Sequence, residues 1–324
     1  MSKKISKTRH TNSRGRNALH PSQIDVKGWR DIALRVKCAI KKDHLGLIAA
    51  GVAFYFFLAI FPMIAAFLSV YGLIFDPAEA RAHVTALSGV LPGQARSILA
   101  QQTEQLTSGS GSALGLGALI SILIAIWSAH KGTTAMTIAM NIAYKEEGSR
   151  GFIRKMLVDF SLTLGLVIFF TISLAIVAVA PVVLQLLDPG PTVELALDLL
   201  RWPTLGLIAV LALSVMYRFG PDRQAPKWRW LTPGALLAVI VWLITSGLFS
   251  WYVSSFGDYN ETYGSVGAVI TLLFWFYLTA YIFILGAELN SEMEHQTSRD
   301  TTVGDDQAVG KRDAFVADDL GKKP

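Results

Sequence analysis

Thr232–Gly257 and Gly264–Ala287 are two runs without one charged residue, separated only by the polar stretch Asp258–Tyr263. A helix rises 1.5 Å per residue and needs about 20 apolar residues to cross about 30 Å of hydrocarbon. Both runs are longer than that. A helix at the edge of a soluble core is apolar along one stripe, not all round. The pair is therefore read as two membrane-spanning helices joined by a short turn, and the rest of the chain repeats the pattern.

Hydrophobic residues make up 52% and charged residues 16% of the 324, against about 25% charged in soluble domains. Mean hydropathy is +0.44. One polytopic bundle accounts for this length better than two soluble domains. The pI of 9.2 reflects Lys and Arg flanking apolar runs, a topology signal and not a nucleic-acid surface. The one cysteine, Cys38, excludes an intrachain disulfide and a cysteine metal cluster.

Residues 1–26 are polar, basic and without apolar periodicity, so a disordered tail is expected. Over 27–43, Trp29, Ile32, Val36 and Ile40 share one helical face, with Arg30, Lys37 and Lys41 elsewhere. That predicts an amphipathic helix in the membrane interface. Six spans follow within 44–290, at about 45–75, 113–144, 157–187, 203–219, 232–257 and 264–288, before a polar tail at 291–324. Further short amphipathic helices are expected at Pro92–Leu106 and around Val193–Leu200. The fold class is an all-α integral membrane protein, a bundle of six transmembrane helices with short interfacial helices.

Segment 113–144 is too long for the hydrocarbon alone. It either projects beyond the bilayer as one helix or breaks near Ser128–Gly132. His130 and Lys131 interrupt it, and a lysine at mid-membrane costs about 2.5–3.5 kcal/mol on an insertion scale. An interfacial position is favoured over an aqueous cavity. Pro62 and Pro181 each remove a backbone hydrogen bond and are candidate kinks.

The leader and the two inner loops carry 12, 4 and 4 Lys/Arg, while the outer loops hold Arg81, Arg96 and Arg201. This bias places both termini in the cytoplasm. At the inner span ends, Asp159, Glu288 and Asn290 lie near Arg150 and Arg154. An acid at a helix C-terminus opposes the dipole, so an ion pair of Glu288 with Arg150 or Arg154 is favoured over a substrate or proton site. Asn260 and Tyr263 suit an outer turn; the sharper reading is a polar rim at a cavity mouth.

Three stretches resemble the YihY/BrkB family of bacterial inner-membrane proteins. They are AAGVAFYFFLAIFPMIAAF, WSAHKGTTAMTIAMNIAYKEEGSRGF, and the closing pair of spans with Tyr259, Asn260, Tyr263, Gly264 and Gly286–Ala287–Glu288–Leu289–Asn290. The resemblance runs from about Asp43 to Glu294. It implies six helices and inner-membrane residence; the family is described as virulence-related, and some members carry an old ribonuclease label. His130–Lys131 departs from the pattern, in which arginine is common.

The residues themselves argue against RNA hydrolysis. Metal-dependent hydrolysis uses clustered His, Asp and Glu, but His10, His20, His44, His83, His130 and His295 are scattered over tails and both faces. No HxE or HxxxH spacing and no phosphate-binding loop occurs. No enzyme activity, cofactor or nucleic-acid partner is expected. Two function classes remain: a transporter or flippase of lipid-like or amphipathic envelope molecules, and a non-transporting scaffold for envelope integrity. The expected partners are the bilayer, with anionic headgroups on the cytoplasmic side, and a lipid-like substrate.

Overall fold

The computed structural model describes residues 14–74, 111–148, 150–174, 176–177, 190–255 and 259–322. Its helices are α1 (Val26–Lys42), α2 (Leu45–Ile74), α3 (Gly111–Ala143), α4 (Phe152–Leu174), α5 (Pro191–Phe219), α6 (Trp228–Ser255), α7 (Tyr259–Glu294) and the short α8 (Phe315–Asp318). No strand occurs among the described residues. The protein is all-α, and five of these helices contain stretches long and apolar enough to cross a membrane: 45–63, 152–173, 195–219, 228–255 and 269–294. The α3 helix is a further long helix, of 33 residues.

Several boundaries differ from the sequence expectation. The α3 helix is continuous through Ser128–Gly132, so the segment does not break there. The α5 helix starts at Pro191 and absorbs both the expected interfacial piece and the fourth span. Pro203 costs it a single backbone bond, which a helix inside a bundle tolerates. Asn260 and Tyr263 lie in the first turns of α7 and not in a hairpin turn. Pro62 sits inside α2. Pro181 and the expected helix Pro92–Leu106 fall outside the described residues.

The core gathers at the end of the bundle that carries both termini. Leu45, Ala49 and Val52 of α2 meet Met136, Ala139 and Met140 of α3, Leu213 and Tyr217 of α5, Ala235 and Ala238 of α6, and Ala280, Ile284 and Ala287 of α7. Alanines at these crossings let backbones approach closely. Away from this end the apolar surface faces outward: Leu207 is 71% and Trp251 63% exposed, as expected where lipid is the solvent.

The α6–α7 contact is a close one. Pro233 removes the bond to the Arg229 carbonyl in the first turns of α6, and Asn290 adds two bonds to the same turns: its Oδ1 accepts from Gly234 N–H at 2.9 Å and its Nδ2 donates to Leu231 O at 3.0 Å. Opposite, Gly286 has no room for a Cβ, which would collide with Tyr217 Oη, Gly234 O and Ala238 Cβ.

The helix α1 begins on Asp25, whose carboxylate accepts from Gly28 N–H at 2.7 Å, and ends with Lys41 and Lys42 in its last turn, where cations suit the dipole. Its apolar face packs against protein. Ile32 is fully buried with Ala18, Ile24, Trp230 and Met293, and Trp29 and Val36 pack against them. Lys27, Arg30, Lys37, Lys41 and Lys42 are left exposed.

Neither tail is disordered where described. Arg14 grips Asp31 through one guanidinium nitrogen at 2.8 and 2.7 Å. Thr297 and Ser298 hydroxyls donate to Ala18 O and Arg16 O at 2.8 and 2.9 Å. Arg312 donates to Ala317 O, Ser298 O and Gln307 O, and Val316 reaches the main core.

Candidate functional site

Two features concentrate unusual chemistry: a polar layer at the termini-bearing end, and an apolar groove above it. The polar layer is built by the last two turns of α7, whose residues 288, 291, 292 and 295 share one face and 290 and 294 another. On the second face, Arg223 and Glu294 form an ion pair with both side chains fully buried. Arg223 Nη2 lies 2.7 Å from Glu294 Oε2 and Nη1 3.2 Å from Oε1. Thr301 Oγ1 donates to the same carboxylate at 2.6 Å, and the guanidinium stacks 5.0 Å from the Tyr144 ring.

On the first face, Glu292 collects two cations. Arg35 Nε reaches its Oε2 at 2.6 Å and Lys145 Nζ its Oε1 at 3.0 Å. His295 Nδ1 is 3.5 Å from Glu292 and its Nε2 3.7 Å from Asp319. One turn earlier, Glu288 is 0% exposed, and neither carboxylate oxygen has a hydrogen-bond partner. The expected ion pair of Glu288 with Arg150 or Arg154 is therefore not formed. Arg150 instead binds Asp222 (Nε–Oδ1 2.9 Å) and the carbonyls of Phe219, Gly220 and Pro221. Arg154 is exposed.

The other sequence candidates have local roles. Asp159 is buried and accepts from the Thr134 and Thr137 hydroxyls, both at 3.1 Å, which ties α4 to α3. Asn290 makes the two bonds to α6 described above. His130 is half-buried with Nδ1 lacking a partner. Lys131 is exposed, its ammonium 5.5 Å from the Trp127 ring. Sequence reading missed Arg35, Lys145, Arg223 and Glu292. Their one signal was charge next to an apolar run, which also marks ordinary topology.

Outside the spans, burial pushes Glu146 up to about 7, against the Phe315 N–H that its carboxylate accepts at 2.9 Å. Burial also pushes the Asp43 carboxyl up, with Lys145 acting the other way.

The groove lies between α2 and α7. It encloses about 300 Å³ and is lined by Ala50, Ala53, Phe54, Ile270, Leu273, Phe274 and Tyr277. Phe54 and Phe274 are half-exposed on its open side, and the Phe274, Tyr277 and Tyr281 rings follow each other at 5.9 and 6.1 Å. Among the described residues no group of three or more His, Cys, Asp or Glu is placed to hold a metal ion.

A helical chain with several apolar helices and an interior polar layer at one end defines a multi-pass membrane protein. Residues 38–310 match the family model described as Virulence factor BrkB, and the chain belongs to that family. It is 32% identical over 248 residues to the Putative ribonuclease-like protein YfkH of Bacillus subtilis, covering 75% of this chain and 88% of that one. Similarity to a UPF0761 membrane protein of Rhodospirillum rubrum is 26% over 318 residues, 92% of this chain and 68% of the relative. With a UPF0761 membrane protein of Stenotrophomonas maltophilia it is 37% over 87 residues, 27% of this chain and 20% of the relative. No solved structure matches.

Proposed function

We propose that the protein moves lipid-like or amphipathic envelope molecules across the bacterial inner membrane, six spans crossing it and both termini facing the cytoplasm. The supporting observation is the side-opening groove between α2 and α7. A packed scaffold needs no such opening, and its largely apolar lining suits an acyl chain in contact with the surrounding bilayer. Pro62 lies about two turns beyond Phe54 on the same helix, outside the groove lining, where α2 lacks a backbone bond. Beneath, the exposed Lys27, Arg30, Lys37, Lys41 and Lys42 of α1 offer a basic face to anionic headgroups, an attraction of about 1 kcal/mol per cation near the surface.

The ribonuclease wording in the name of YfkH describes that protein. Here the histidines are scattered, and the buried acids are engaged in helix-to-helix contacts or sealed from solvent; we read this chain as non-enzymatic. The test is reconstitution in liposomes with a fluorescent lipid and a membrane-impermeant quencher. Transbilayer movement dependent on the protein supports transport. No movement with any tested lipid or amphiphile leaves the scaffold role.

A further inference from the structure

We propose that Asp43 and Glu288 hold one small positive charge between them, a shared proton or a hard monovalent cation such as Na+, in a buried site at the foot of α7. The proposal stands on binding chemistry alone and does not depend on the transport reading.

The first observation is the concentration of unmet polar atoms. Glu288 Oε1 and Oε2, Ser291 Oγ and Asp43 Oδ2 are all buried without a hydrogen-bond partner. Glu288 and Ser291 are each 0% exposed and share a face of α7, one turn apart. Buried polar groups are paired in all but a few cases per hundred residues; the unpaired nitrogens Arg35 Nη1 and His295 Nε2 belong to side chains that contact Glu292. The unpaired oxygens invite a positive, oxygen-seeking occupant.

The second observation is charge balance. The charged groups acting on Glu288 are Asp43 from the α1–α2 corner, Glu292 from α7 and Lys145 from the end of α3. Arg35 of α1 enters through Glu292. Both cations bind Glu292, and neither Glu288 oxygen is paired with a cation. His295, on the far side of Glu292, is shared with Asp319. Lys42 and His44 act on Asp43 from the exposed side. Two carboxylates close enough to feel each other, away from water, do not both stay ionised unless something positive lies between them.

The third observation is the kind of occupant that fits. Two carboxyls and a hydroxyl make a hard oxygen set. A proton needs two of them; Na+ takes them with water or backbone carbonyls. The turn carrying Asp43 is a short joint between two helices: Asp43 caps α1 after Lys42, and the next residue, His44, has φ +49°.

The test uses the full-length protein in nanodiscs, with radiolabelled Na+ binding and infrared difference spectra of the carboxyl C=O band recorded across pH in Na+ and in N-methylglucamine buffers. Saturable Na+ binding that acid displaces assigns the cation arm. A protonated-carboxyl band that titrates equally in both buffers assigns the shared proton. In either case Glu288→Gln abolishes the signal, and Asp43→Asn and Ser291→Ala weaken it about tenfold. Glu288→Asp guards against misfolding: it keeps the carboxyl and should retain a weakened signal in a monodisperse protein. A wild-type protein with neither Na+ binding nor a carboxyl band removed by Glu288→Gln holds only water there, and the proposal is overturned.

Discussion

Replacing Arg223 by methionine tests whether the polar layer holds the bundle together. The side chain keeps most of its length but loses the guanidinium, leaving the fully buried Glu294 with Thr301 Oγ1 at 2.6 Å as its remaining hydroxyl donor. Removing one partner of a buried pair costs about 3–5 kcal/mol, because the other charge stays desolvated and uncompensated. The lost stacking on Tyr144 adds to this, since cation–ring contacts away from water are worth about 2 kcal/mol. Removing both charges should cost far less, as well-packed apolar replacements of buried pairs are often neutral. The assay is reversible unfolding of the reconstituted protein for wild type, Arg223→Met, Glu294→Leu and the double variant. The account expects each single variant to lose about 3–5 kcal/mol and the double to recover most of it. A single variant within about 1 kcal/mol of wild type, or a double variant as unstable as the sum of the singles, would refute the reasoning.

Asn290→Ala strands the buried Gly234 N–H and Leu231 C=O, at about 1–3 kcal/mol each, and should lower the unfolding midpoint while leaving helix content unchanged; an unaltered midpoint sinks that role. Glu146 is raised to about 7 from 4.5, so the folded chain binds more protons between those values and its stability falls as pH rises through the window. Unfolding midpoints measured across it should slope less steeply in Glu146→Gln, and parallel slopes would show that the group does not titrate there. Cys38 is exposed on α1 and is the one cysteine of the chain. An impermeant maleimide should label it in inside-out vesicles and not in intact spheroplasts; the reverse pattern inverts the proposed topology.

How much of this was legible in the sequence depends on where the physics is local. Thr232–Gly257 and Gly264–Ala287 declared themselves because crossing hydrocarbon needs length and apolarity, which a linear chain displays. Their true ends were hidden. Asn260 and Tyr263 look like turn residues, yet α7 begins at Tyr259, and Pro203 looks like a start although α5 runs through it. The face of α1 was read correctly from Trp29, Ile32 and Val36, but periodicity does not say whether such a face meets lipid or protein. Glu288 was singled out by its place after an apolar run. Its lack of a partner was invisible, because that depends on Arg150 turning to Asp222 and on Arg35, 257 positions away from Glu292, reaching α7. Glu294, Arg223 and the tail contacts were beyond any local pattern for the same reason.

Lipid movement through the α2–α7 groove is the central claim, and one comparison addresses it directly. Ala50 is exposed on the groove wall, so Ala50→Trp should fill the opening from outside without disturbing the core, whereas Leu207→Trp changes an outward surface far from it. In liposomes carrying a fluorescent phospholipid, wild type and Leu207→Trp should move the lipid between leaflets and Ala50→Trp should be slowed about tenfold or more. Equal rates for all three, or no movement by the wild type, would contradict the account.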